Sequence, residues 1–205
     1  DITTAQYEGG RMHSLQERVY QYLMSRWSDG RLSAIENFDV VLGGYSKDTY
    51  KFDALFERDG QSFRSPLILR RDTPTKTAIL NNSREREHHL LNRLREHTKV
   101  KVPKSFFAEL DPRQFERPAM IIERIIGCTE PTSLFKSADT AAEAESVARQ
   151  LCEQIAALHT TPIGHLNEGN LFNDPKGIGA QTDSWDHYLD SMIRYFIQHY
   201  DQIDF

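Results

Sequence analysis

A period-two run of apolar residues between positions 37 and 71 sets the strongest limit on what this chain can fold into. Phe38 to Leu42 reads as a short apolar strand that Gly43-Gly44 breaks. Thr49 to Glu57 then alternates Tyr50, Phe52, Ala54 and Phe56 with mostly polar residues, the pattern of a strand with one buried face. Arg58-Asp59-Gly60-Gln61 carries the Asp-Gly pair of a tight hairpin turn. Ser62 to Arg71 supplies a third strand, with Leu67-Ile68-Leu69 continuous enough to be buried on both faces. Three strands with two short connections make an antiparallel meander.

Helical periods flank this run. Ser14-Leu15-Gln16-Glu17 has the spacing of a capping box and predicts a helix to about Trp27. Leu15, Val19, Tyr22, Leu23 and Trp27 give it one apolar face, and Asp29-Gly30 stops it. A polar connector leads to a second helix over 83–97, with Leu90, Leu91 and Leu94 facing inward. Val102-Pro103 breaks the chain, after which Ser105 to Leu110 and Pro118 to Arg124 read as a hairpin turned by Asp111-Pro112. The expected fold class is α+β, a five-stranded antiparallel sheet with a helix packed on it. Past Gly127 the pattern turns helical, with Val147, Leu151, Ile155 and Leu158 at helical spacing in 139–159 and a loop from Pro162 to Gly179. A last helix from about Thr182 aligns Trp185, Leu189, Met192, Phe196 and Tyr200. The expected units are a flexible segment 1–13, a sheet-bearing unit 14–126 and a helical unit 127–205.

Composition narrows the partners. With 205 residues, 39% hydrophobic and 27% charged, the chain can bury one good core or two small lobes. Its net charge of -5 disfavours nucleic acid and membrane surfaces, since both select basic patches. No apolar run approaches the roughly 20 residues of a membrane helix. Residues 1–10 are polar, without a signal-peptide core. Cys128 and Cys152, the two cysteines, lack CxxC spacing and suit a reducing compartment. Among eight histidines only His88-His89 are adjacent, and helix neighbours diverge by about 100°, a poor chelate. The expectation is a cytoplasmic setting with no nucleic acid, membrane or zinc.

Four features could carry chemistry. Leu42 to Thr49 sets two glycines between antiparallel strands, where backbone N–H groups can approach an anion with no Cβ in the way. Ser46 and Thr49 could add hydroxyl donors. A plain hairpin explains the same glycines and, taken alone, explains them better; the run is neither a Walker loop nor a GxGxxG. Arg70, one strand on, could reach the phosphates of a nucleotide beneath that turn, and a surface arginine at a strand end is an equal reading. Arg71 should point the other way, because strand side chains alternate. Glu87 stands one helical turn before Leu90-Leu91 and could hold the strand cation. Glu85 competes for that role, and Arg84, Arg86 and His88 are ready surface partners for a solvated glutamate. Met120 to Gly127 is a buried strand ending at glycine, whose unpaired backbone groups could imitate a base-pairing edge for adenine or simply end the sheet.

Taken in order, these features resemble the phosphotransferase enzyme family, which contains aminoglycoside phosphotransferases and choline- and homoserine-kinase-like proteins on a protein-kinase-like fold. The likeness rests on Gly43 to Asp53, Leu67 to Pro74, Glu87 to Leu94, Val102-Pro103, Met120 to Gly127 and Ile155 to His159. It spans roughly Leu15 to Pro162 and looks closest to a branch that includes kinase-like domains attached to acyl-CoA dehydrogenases. The resemblance implies ATP and Mg2+ as cofactors and a small-molecule hydroxyl as phosphate acceptor. Gly43, Gly44, Ser46 and Thr49 would cover the phosphates, Arg70 would bind them, and Glu87 would pair with Arg70. Ile122 would stand behind the adenine, Glu123 would offer its backbone carbonyl and Ile125 its N–H. Arg124 and Cys128 would border the mouth.

The family draws its base and metal ligands from a His-Gly-Asp loop ending in Asn and from a later Asp. His165-Leu166-Asn167 and Asn173-Asp174 lack that pattern, and His159 reads as a helix end. No catalytic or metal-binding residue is therefore expected within this chain, and Mg2+ ligands are expected beyond residue 205. The expectation is the nucleotide-binding part of a kinase, inactive alone. A pseudokinase or interaction module is one alternative, compatible with Lys47-Asp48 in the glycine turn and with arginine at 70. A non-kinase α+β domain is the other. Trp185, His187 and Tyr188 would wall an acceptor or, on the plainer reading, pack a core.

Overall fold

The computed structural model describes residues 15–41, 47–72, 83–127, 140–168 and 184–199. Helix α1 (residues 15–26) comes first. Strands β1 (Arg31–Val40), β2 (Lys47–Arg58) and β3 (Gln61–Asp72) follow, then α2 (Arg84–His97), β4 (Ser105–Glu109), the helical turn α3 (Pro112–Phe115) and β5 (Ala119–Glu123). Helices α4 (Ala141–His159), α5 (Ile163–Leu166) and α6 (Trp185–His199) complete the described elements. The strands form one sheet of order β1-β2-β3-β5-β4 with every neighbour antiparallel. The expected α+β class holds.

The strand most at odds with its sequence pattern is β1. It starts at Arg31, well ahead of the apolar run at Phe38. Its buried side chains, Leu32, Ile35 and Phe38, fall three apart rather than two. Two register shifts against β2, between Leu32 and Ala34 and between Glu36 and Asp39, explain the spacing. Each extra residue resets the alternation, and Asn37 takes a φ of 52° at the second shift. The β2–β3 hairpin is simpler. It closes at the Arg58–Gln61 pair through Asp59 and Gly60, both at positive φ (52° and 75°), as an Asp-Gly turn requires.

One face of the sheet is sealed by α1. Phe52, Ala54, Phe56, Leu67, Leu69 and Ile121 pack with Leu15, Val19, Tyr22 and Leu23 in a single cluster. Trp27 stacks on Phe56 with centroids 4.6 Å apart, and Tyr22 meets Phe115 at 4.8 Å. Burial here, with Glu109 close by, pushes the Tyr22 hydroxyl up to about 12.

The expected hairpin of β4 and β5 is present, but its link holds a helical turn rather than a plain Asp111-Pro112 turn. Asp111 accepts a hydrogen bond from the Arg113 amide and caps α3, with Pro112 in its first turn. That extra turn carries Phe115 into the core. Pro66 is a second local constraint, because a proline inside a central strand has no N–H to give. It is accommodated because β5 pairs only with Leu67 to Arg71. Beside Pro66 the ladder ends, with the Arg124 amide bonding the Pro66 carbonyl at 3.0 Å.

Helix α2 is capped by Ser83, whose hydroxyl accepts from the Arg86 amide at 3.3 Å. It lies against β4 and β5 on the face opposite α1. Leu94, Met120 and Ile122 are buried there, outside the α1 cluster, and His88 Nδ1 sits 2.7 Å from Ser105 Oγ. The open stretch of that face, over β1 to β3, has no helix on it among the described residues. The loop expected from Pro162 contains α5, whose His165 carbonyl accepts from Arg93 Nε at 2.8 Å. Helix α4 buries none of its residues, so its apolar stripe is present but uncovered by the described residues. No helix among the described residues is long and apolar enough to cross a membrane.

Candidate functional site

The register fixes which side chains share the open face. Directly paired residues of an antiparallel sheet lie on the same face. Thr49 therefore stands beside Arg70 and Arg70 beside Met120, while Ile68 lies between Lys51 and Ile122. Leu67, Leu69 and Arg71 alternate to the α1 side, so Arg70 and Arg71 face opposite ways, as strand geometry demands.

Arg70 Nη1 donates to Glu87 Oε1 at 2.5 Å, joining the strand to the first turn of α2. Both side chains keep partial exposure, 29% and 24%. Glu87, and not the exposed Glu85, makes this contact, which settles the choice left open by the sequence. The other Glu87 oxygen accepts from Arg84 Nη1 at 2.7 Å, and Arg84 Nε lies 2.7 Å from Asp72 Oδ1. Arg84, read from sequence as a surface partner, is thus among the most buried residues, at 1% exposure. The cause is its place at the first residue of α2, where the helix meets the end of β3. Its Nη1 passes 3.6 Å from Met120 Sδ, and two carboxylates replace the water it loses. A sequence signal existed. Arg84 stands seven residues before Leu91, on the same helical face.

On the α1 side, Arg71 is an anchor. Nη1 donates to the Phe115 carbonyl and to Glu116, and Nη2 to Asp48 and the Tyr50 hydroxyl, all at 3.1 Å. Asp48 also accepts from Arg117 Nη2 at 2.5 Å. The acidic residue of the glycine turn therefore has a structural employment. Asp53 is a second group that sequence reading passed over. It sits on the open face, buried, accepting from Asn37 Nδ2 at 2.7 Å, Arg64 Nη1 at 3.1 Å and Arg124 Nη2. A carboxylate at a polar position of an alternating strand reads as solvated. Only the cations that meet it from β3 and from beyond β5 reveal the burial. The contact binds Arg124, at the exit of β5, back to β2.

The remaining positions are located as follows. Ile122 is buried and lies beside Ile68. Glu123 gives its amide to the Lys104 carbonyl at 2.8 Å, and its carboxylate accepts from the Lys104 amide at 2.9 Å. Ile125 is 65% exposed and follows the last sheet bond at Arg124. Gly43, Gly44, Ser46 and Cys128 lie outside the described residues, as do the side chain of Trp185 and Asn173-Asp174. His187 is exposed and Tyr188 half-buried on α6, so neither packs the core imagined for them among the described residues.

The open face offers a restrained, partly exposed guanidinium beside Thr49, next to the apolar Ile68 and Ile122. Among the described residues no group of three His, Cys, Asp or Glu side chains could hold a metal ion.

The sequence profile of the phosphotransferase enzyme family matches residues 39–191, more than half of the chain. No curated protein matches the chain significantly. Among solved structures, the fold is similar to a Ralstonia eutropha JMP134 protein provisionally assigned as an aminoglycoside phosphotransferase, with a TM-score of 0.55 and 19% identity. The match covers 89% of this chain and 47% of that one, so this chain spans about half the length of that protein. Likeness at such identity speaks for the fold, while the profile speaks for descent. The chain belongs to the phosphotransferase enzyme family.

Proposed function

We propose that the open face binds ATP, and that the protein built on these elements transfers its terminal phosphoryl group to a hydroxyl of a small molecule. The observation that carries this reading is the 2.5 Å Arg70–Glu87 pair on the open face, next to Thr49. A planar guanidinium held at one edge by a carboxylate keeps its other donors aimed and can grip phosphate oxygens. Gly43, Gly44 and Ser46 would close over the phosphates with Thr49. Ile68 and Ile122 would line the purine, with the Glu123 carbonyl and the Ile125 amide as its hydrogen-bonding edge. ATP would supply the group transferred. On this reading the share of residues 15–127 is to bind and orient the nucleotide.

The test is ADP release by the full-length protein with ATP and Mg2+ against a panel of hydroxylated small molecules. Release should depend on the acceptor, and Arg70→Met should lower kcat/KM for ATP by about 10- to 100-fold, the loss of one charge-assisted contact. ATP binding without release for any acceptor would favour a nucleotide-binding module. Failure to bind ATP at all would sink the reading.

A further inference from the structure

We propose that Arg84 is a positioning residue that fixes Glu87, and through it Arg70, in the phosphate-binding arrangement before any ligand arrives. The inference rests on the nucleotide reading above and extends it to a residue that touches no ligand. Glu87 divides its carboxylate, one oxygen to Arg70 and one to Arg84. Arg84 divides its guanidinium in turn: Nη1 donates to Glu87, and Nε pairs by charge with Asp72 Oδ1 at 2.7 Å. The result is a chain of alternating charge, Asp72–Arg84–Glu87–Arg70, that begins and ends on β3 and passes through the first turn of α2.

Burial makes this chain directional. The Arg84 side chain has no exposure, whereas Asp72, Glu87 and Arg70 each keep about a quarter to a third. An arginine out of water is tolerable only while both carboxylates stay beside it. Sliding the start of α2 away from the end of β3 would strand that charge, so the helix and the strand are locked together at this point. The Arg70–Glu87 pair alone would be one partly exposed ion pair between two elements, which water and salt weaken. With Arg84 behind it, Glu87 is held from its own helix three residues away as well as from the strand. Lysine would hold the two carboxylates less firmly, because its charge sits on one nitrogen at the end of a flexible stem, whereas the guanidinium spreads it over a rigid plane that reaches both.

The experiment titrates the full-length protein with a non-hydrolysable ATP analogue by calorimetry. Arg84→Met keeps the volume beside Met120 and removes the charge. Asp72→Asn loosens the same tie from its more exposed end and carries the test if the first variant does not fold. Each substitution is then repeated in a Glu87→Gln background. Each should weaken the analogue about tenfold alone, in the range seen when a group behind a ligand-holding residue is removed, and should add nothing once Glu87 is changed. A merely structural Arg84 would lower the thermal midpoint while leaving the affinity of the folded protein unchanged, or would cost the same in both backgrounds. Either result overturns the proposal and leaves wild-type binding intact. Absence of wild-type binding would instead remove the nucleotide reading, and this inference with it.

Discussion

Arg70 and Arg71 adjoin in sequence and do opposite work. Arg71 is buried among Asp48, Tyr50, Glu116 and the Phe115 carbonyl, whereas Arg70 meets Glu87 on the open face. Arg71→Met should therefore cost about 2–3 kcal/mol of stability, as loss of a buried group with several charge-assisted bonds does. Arg70→Met should leave the denaturation midpoint nearly unchanged and weaken nucleotide binding. Denaturant titration and nucleotide titration on both variants check this, and an exchange of the two effects would reverse the face assignment. His88 gives a pH-dependent expectation. Burial, and then the neighbouring His89, lowers its pKa below the usual 6.5. The unfolded chain then takes the proton more readily, so this contribution is complete above pH 6.5 and is lost as pH falls through the folded value. His88→Gln should flatten the loss of stability on acidification, read from denaturation midpoints at descending pH; parallel curves would count against it. At this scale the alternation of Arg70 and Arg71 was legible in the sequence. The burial of Arg84 and Asp53 was not, because each depends on charges brought from another element. Periodicity places a residue on a face without saying what meets it there.

Strands β2 and β3 were legible because alternation and Asp59-Gly60 agree. Gly60→Ala tests that element. An added Cβ would meet nothing within 4 Å, so the cost is conformational alone, about 1 kcal/mol for an L-residue held at positive φ. A loss well above that, by denaturant titration, would mean that the turn carries packing not apparent here. Strand β1 was legible only at its Phe38 end, since two register shifts spread its buried residues to a spacing of three. The β4–β5 hairpin was legible, but the helical turn in its link was not, for a different reason. Asp-Pro serves equally as a turn and as the cap and first residue of a helix, and only the burial of Phe115 decides between them. Ser83→Ala should cost about 1 kcal/mol through loss of the α2 cap, the usual scale for such a contact. Because α2 carries Glu87, nucleotide affinity should drop with it in the same titrations.

For the molecule as a whole, the order of elements was the most legible property. Glycine turn, strand cation, helix carboxylate and exit strand follow one another in sequence, and the register brings the described members onto one face. The helical region was less legible in its packing. The apolar stripes read on α4 and α6 leave Leu151 60% and Leu189 40% exposed to the described residues. A periodic stripe reports a helix and an apolar side, not the element that covers it. The central claim, that nucleotide lies against the face opposite α1, is tested most directly by hydrogen–deuterium exchange of the full-length protein with and without ATP. The expected result is slower exchange in peptides spanning 47–72 and 119–127, unchanged exchange in 15–26, and loss of the protection in Arg70→Met. Protection confined to α1 and its core face, or none in either strand segment at saturating ATP, would contradict it.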